Sequence, residues 1–408
     1  MNKLEKINNV YFLILFSILP ISIIVGPAVS LTNISLIALS FIIFYLYKNS
    51  LIILKSKVII LLLAIYIYLI LNNFISIDTD IGATRNFGFI RYFFLFLAIN
   101  LIFSKLDNFE YIFKIWFLII SIVILDVFYE FFIGSNLLGF ESSNKKRIVS
   151  FFKDEAVVGA FLNGFIFIIV GFLFSNYEKK NIIYKVFIFS FLVLIISCLI
   201  FTGERSNTLK LFFGLTIFFY FNDKIKLSYK IFFLFSVILI FFLTILNSTE
   251  IKHRYSNDLI QKLKNKESRE RYIYFKLYNS GYEVFKKYPI LGVGNKNYRI
   301  EACRNIENKN KNYVCNTHPH QIYFEFLSEH GLLGTLIILT IIFYLIFKNF
   351  KVMMRRKNLI QIGCFSYLMT VFIPFLPGGS FFADFNSNFF WLNFSLYYAS
   401  NYETNIFK

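Results

Sequence analysis

An all-α integral membrane protein is the fold class this chain predicts, and three observations predict it. Of its 408 residues, 57% are hydrophobic and only 16% are charged. Its mean hydropathy is +0.63. The apolar residues also run in long stretches, not in one-sided stripes. A chain of this length in water needs far more charged surface. A bilayer instead asks for helices of roughly 20 apolar residues, whose backbone groups are satisfied within the helix. Composition therefore excludes an ordinary soluble enzyme. No internal repeat, heptad or nucleotide-binding glycine loop competes with that reading, and no nucleic acid is expected as a partner.

Scanning for such stretches predicts about twelve transmembrane helices. They cover residues 11–29, 31–47, 58–75, 88–103, 115–133, 156–174, 184–202, 209–221, 231–246, 332–347, 359–376 and 381–400. Several are short for a full crossing, which tilting or local thinning of the bilayer accommodates. The chain thus divides into nine helices in 1–246, one large polar loop in 247–331 and three helices in 332–408. The first span follows Lys3 and Lys6 as a signal peptide would. Its apolar stretch is long and lacks a small-residue cleavage site, so it reads as a helix.

Orientation follows from the cations of the short connections. Alternate connections carry Lys48, Lys55 and Lys57; Lys105 and Lys114; Lys179, Lys180 and Lys185; Lys224, Lys226 and Lys230; and finally Lys348, Lys351, Arg355, Arg356 and Lys357. The intervening ones are poor in cations. This places both termini in the cytoplasm of a multi-pass inner-membrane protein and the 247–331 loop on the outer face. That loop is itself rich in Lys and Arg, which long translocated segments tolerate. A basic surface beside membrane lipids suits a phosphate-bearing ligand. Its lysines read equally well as solvated side chains, but its arginines are suited to gripping phosphate bidentately.

Cys198 and Cys364 fall in apolar spans and read as small core residues. Cys303 and Cys315 flank a polar stretch of the outer loop, where an oxidising compartment favours a disulfide. A zinc site with His318 and His320 is the weaker alternative, because neither CxxC nor HxxxH spacing is present; no metal and no cofactor is expected. Ser268 can cap a helix over 269–287, stopped by Pro289, with Arg271, Phe275, Tyr278, Tyr282 and Phe285 on one face. Gly292-Val-Gly294 then reads as a tight turn. Pro319 suits the first position of the next helix, which puts His320 in its first turn. The positive helix end there keeps an imidazole neutral and able to accept a proton. His318 can serve equally well, and a solvated or structural role is open to both. Arg91 stands among Phe89, Ile90, Tyr92 and Phe93; it either snorkels to the boundary or pairs inside the membrane, with Asp126 and Glu130 one turn apart on the next span as candidate partners.

These residues together resemble the O-antigen ligase and polymerase family. The stretch from Tyr288-Pro-Ile-Leu-Gly-Val-Gly294 through Tyr298-Arg299, Thr317-His-Pro-His-Gln321 and Glu329 to Gly331-Leu-Leu-Gly334 looks like the family's core signature. Arg147-Ile-Val-Ser-Phe-Phe-Lys-Asp-Glu155 is similar to one of its outer loops, and Thr202-Gly-Glu-Arg-Ser206 to the short loop that carries an arginine. Gln321 departs from the pattern, since the family usually has Asn there. The resemblance implies an inverting, metal-independent glycosyl transfer at the periplasmic face, from an undecaprenyl-diphosphate-linked glycan. A ligase passes the glycan to a lipid A-core sugar hydroxyl; a polymerase passes it to another lipid-linked repeat unit. The resemblance makes His320 the base, and Arg205, Arg271, Arg299 and Arg147, with His318 and Gln321, the donor-binding set; the choice among Arg269, Arg271 and Arg299 stays open. A flippase is the rival enzyme-free reading, and it would place charge in several helices rather than at one face. A docking protein is the third.

Overall fold

The computed structural model describes residues 3–48, 56–105, 109–141, 147–231 (apart from 154 and 179), 272–307 and 310–408, together with isolated positions between 235 and 252. Among these residues it is helical throughout. The first ten helices are α1 (Lys3–Ser17), α2 (Leu19–Val25), α3 (Pro27–Lys48), α4 (Lys57–Phe74), α5 (Thr79–Gly88), α6 (Ile90–Lys105), α7 (Glu110–Ile133), α8 (Val158–Ser175), α9 (Ile182–Phe201) and α10 (Arg205–Phe221). After the interval come α11 (Ile273–Lys287), α12 (Tyr298–Glu307), α13 (Ile322–Lys348), α14 (Phe350–Arg356), α15 (Leu359–Val371) and α16 (Asp384–Ala399).

Six described helical stretches are long and apolar enough to cross a membrane, or seven if the bent pair α1–α2 counts as one. The remaining expected spans correspond to shorter helices such as α10, α15 and α16, while most of 231–246 lies outside the described residues. The first expected span is bent by 47° between α1 and α2, where Pro20 near the start of α2 has no N–H to continue the ladder.

Helix α8 is the centre of the bundle. It is apolar all round and sixteen of its eighteen residues are buried, as expected of a helix without a polar face. Its closest neighbour is α15, and small residues make the approach possible. A methyl group at Gly171 would strike the backbone of Leu359, and one at Gly363 would strike the carbonyl of Phe167. Helix α7 shows the other extreme. Trp116, Ile120, Val123 and Val127 face inward, while Leu118, Leu125 and Phe132, seven apart, are 60–74% exposed. An apolar stripe left open on that scale is what acyl chains cover.

The described part of the polar loop has a small core of its own, Val284, Val293, Tyr298, Ala302 and Tyr313. Cys303 and Cys315 are bridged across it, as the sequence predicts. Glu301 is fully buried there, paired with Lys287 at 2.5 Å and bonded to Asn305 and Tyr288. Helix α11 ends at Lys287 before Pro289, where the sequence places its stop; Ser268, Arg269 and Arg271 lie outside the described residues.

The joint between loop and bundle is the break in α13 at Gly331, whose φ of 62° and ψ of −170° interrupt the helix. A break frees carbonyls above it and amides below it, and buried ones must find partners. Residues 289–294 supply both. Leu332 N and Leu333 N donate to the carbonyls of Pro289 and Ile290, while Val293 N and Gly294 N donate to those of Ser328 and Glu329. The two chains touch so closely that a side chain at Gly292 or Gly331 would collide with the opposite backbone. The Gly292-Val-Gly294 turn is therefore also a plug for a broken helix.

Candidate functional site

At the end of the bundle near this break, the turn before α13 meets the loop before α16. His320 takes a left-handed backbone, φ 59°, unusual for a residue with a side chain. Its carbonyl accepts from Gly378 N at 2.9 Å, which anchors the turn to that loop. The His318 ring lies against the His320 ring, centroids 4.0 Å apart. His318 Nε2 meets the Gly378 carbonyl at 3.4 Å, and its Nδ1 meets Thr317 Oγ1 at 3.0 Å. Tyr274 of α11 closes the far side of His320, centroids 5.9 Å apart.

The sequence expectation for the start of this helix is corrected here. Pro319 is not its first residue. The cap is Gln321, whose side-chain oxygen accepts from Tyr323 N and Phe324 N at 2.8 and 3.1 Å. His320 thus stands outside the first turn, and burial acts on it in place of the helix end. Burial pulls the His320 imidazole below its ordinary value, with the Arg147 charge acting in the same direction and contact with Gly378 opposing them. Burial, then the neighbouring His320, lowers His318 to about 4. Both rings are neutral near pH 7, so either can accept a proton.

Arg147 reaches this place because two carboxylates of α7 hold its loop. Glu130 accepts from Val149 N at 3.0 Å and Ser150 N at 2.6 Å. Asp126 accepts from Leu137 N at 2.9 Å and from the Ser150 hydroxyl. The expected pairing of these two acids with Arg91 is thereby overturned: their oxygens serve backbone amides, and Arg91 pairs with Asp384. The Nε of Arg147 is buried with no hydrogen-bond partner among the described residues. An orphaned guanidinium donor is costly in a protein interior, and it points to an anion that arrives with the substrate.

Arg205 opens α10 on the same side. Its turn is fixed by Glu204, which accepts from Gly159 N at 2.7 Å and Asn207 Nδ2 at 2.6 Å, and by the Ser206 hydroxyl bonded to the Pro377 carbonyl. One turn along, Lys210 comes under the same loop; a methyl at Gly378 would sit 3.4 Å from its Nζ. Sequence alone does not single out Lys210, because a cation at the mouth of an apolar span looks like any snorkelling lysine.

Residues 189–339, from α9 into α13, match the family model described as O-Antigen ligase. The match covers 151 of the 408 residues, and over that stretch the chain is similar to the O-antigen ligase family. A comparison with curated proteins finds no match. The matched stretch includes Arg205, Arg299, His318 and His320. Arg147 and the Gly378 loop lie outside it and are joined to it only in space.

Arg299 belongs to a different group from His320. It is exposed on α12, beside Lys296, whose ammonium is held below its ordinary value by burial first and then by Arg85. Two buried glutamates of α13 tie the groups into one frame. Glu325 accepts from Phe381 N at 3.0 Å and from the Ser380 hydroxyl, which fixes the Gly378 loop. One turn on, Glu329 is bonded by the backbone amides of Lys296 and Tyr298.

Proposed function

We propose that this protein belongs to the O-antigen ligase family and transfers a glycan from an undecaprenyl-diphosphate carrier to a sugar hydroxyl at the periplasmic face of the inner membrane, with both termini in the cytoplasm. The observation that carries the reading is the neutral His320 imidazole within the field of Arg147, whose buried Nε has no hydrogen-bond partner among the described residues. His320 takes the acceptor hydroxyl's proton, and the oxygen attacks the anomeric carbon from the face opposite the diphosphate. The bond between that carbon and the diphosphate oxygen breaks, and the electron pair leaves with the lipid diphosphate. Arg147, Arg205 and Lys210, with Arg271 from the undescribed stretch, hold the developing charge, the type of stabilisation that is often the largest catalytic term. No step calls on a metal.

In the ligase form of this reaction the acceptor is a lipid A-core hydroxyl. In the polymerase form it is a second lipid-linked repeat unit, which the cations around Asp384 favour. Deleting the gene and resolving surface glycans by electrophoresis tests the reading. Loss of ligation leaves lipid-linked polymer, and loss of polymerisation leaves single repeat units. An unchanged glycan ladder would sink both.

A further inference from the structure

We propose that Arg85, Arg91 and Lys296, gathered around Asp384, form a second anion site that takes the diphosphate of a lipid-linked acceptor glycan. The inference rests on the glycosyl-transfer reading and names its acceptor class. Arg85 lies in the last turn of α5 and Arg91 in the first turn of α6, and both pair with the same Oδ1 of Asp384, the first residue of α16. The three side chains are only 13–17% exposed. Lys296 is brought to them by its neighbour Asn295, whose Nδ2 donates to Asn86 Oδ1 at 2.7 Å, one residue from Arg85. Arg299 stands beside it at the surface.

The guanidinium donors in this group outnumber the acceptors that meet them. Two largely buried guanidiniums share one carboxylate oxygen, with a half-buried Lys296 beside them and Arg299 exposed at the surface. Glu325 and Glu329, the other carboxylates near them, turn their oxygens to backbone amides of the 380–382 and 296–298 segments, so they offset charge without accepting from the two guanidiniums. Arg91 Nε is buried without a hydrogen-bond partner among the described residues, its guanidinium lying 4.8 Å over the Tyr92 ring. A guanidinium donor left unpaired at that depth is unfavourable until an anion joins it. A diphosphate has the charge and the paired oxygens that guanidinium forks match.

Position selects the source of that anion. The group sits at helix ends, where a headgroup carried by a membrane lipid passes. It shares a loop with the His320 turn, because Gly378 and Asp384 are six positions apart on one stretch, at most about 20 Å when extended. An acceptor whose own diphosphate rests at Asp384 therefore has His320 within reach of its sugars. A lipid-linked oligosaccharide has that shape; a bulk phospholipid, whose phosphate would also fit the cations, does not.

The test counts bound farnesyl diphosphate on the full-length protein in phosphatidylcholine nanodiscs. Wild type is expected to bind two equivalents per chain. Arg91→Gln and Lys296→Asn are each expected to keep one, and Arg147→Gln to keep the other. Lys296→Asn leaves both Arg–Asp384 pairs and suits the left-handed backbone at 296, so it reads the site even where Arg91→Gln does not insert. A single equivalent on wild type, or two on both Arg91→Gln and Lys296→Asn, overturns the second site. Displacement of the second equivalent in phosphatidylglycerol discs assigns it to bulk lipid and overturns the acceptor role. Two equivalents on a wild type that transfers no glycan overturns the transfer reading while the anion site stands.

Discussion

The plug at Gly331 and the turn at His320 lie eleven residues apart in one signature, yet they treat polar groups in opposite ways. At the plug, every freed amide and carbonyl named above finds a backbone partner at 2.8–3.1 Å. At the turn, a histidine is held in a left-handed backbone, and Arg147 keeps a buried N–H that nothing described satisfies. Closed accounts of this kind mark a place built for stability. Strain and orphaned donors held by a rigid frame mark a place built for a ligand. One motif therefore contains two sorts of residue, and substitutions should separate them by what they damage.

The largest separation is expected at His320. General-base catalysis contributes roughly 10² to 10⁴ in rate, so His320→Ala should lose nearly all transfer by purified enzyme at unchanged thermal stability. His320→Gly should be equally inactive but more stable, because a left-handed residue with a Cβ costs roughly 1–2 kcal/mol. Loss of stability in the glycine variant would mean that the turn is structural like the plug, and would break the contrast. His318→Ala serves beside it as the control and is expected to be milder.

At the plug the sign reverses. Gly331→Ala puts a methyl into the Ile290 carbonyl and should cost about 1–3 kcal/mol of stability. Membrane levels and melting temperature fall, while turnover per folded molecule stays near wild type. A stable but inactive Gly331→Ala protein would contradict the assignment.

Arg147→Gln should show a smaller loss, on the order of tenfold to a hundredfold in rate, and a diagnostic pH effect. Burial and the arginine both lower His320 below its ordinary 6.5. The rate requires the neutral ring, so the acid limb of the wild-type profile lies below that value. Removing the cation favours imidazolium, and the limb should move toward higher pH. A limb that stays in place would separate Arg147 from the base.

How much of this was legible depended on the length scale of the signal. The spans over α4, α7, α8 and α9 follow from apolar runs, and the bridge from two cysteines in a polar stretch. The end of α11 follows from Pro289. The roles of Asp126 and Glu130 were not legible, because two acids one turn apart predict a cation partner, and nothing local says that the amides of 149 and 150 fold back onto them. Pro319 misled for a related reason: proline favours the first helical position, but the side chain of Gln321 makes the cap. The neighbourhood of Arg147, Lys210 and Gly378 spans most of the chain and exists only in the folded bundle. Arg271 lies outside the described residues and remains an expectation from the sequence.

The helix break also sets a rule for making chimeras. A cut at residue 331, where hydropathy changes from polar to apolar, would divide the plug between two parents. The carbonyls of Pro289 and Ile290 would then face the 332–333 amides of another protein, and Gly292 a foreign residue at 331. An exchangeable cassette must run past Gly334 and carry its own first turns of membrane helix, so the hydropathy boundary and the graft boundary are different places on the chain.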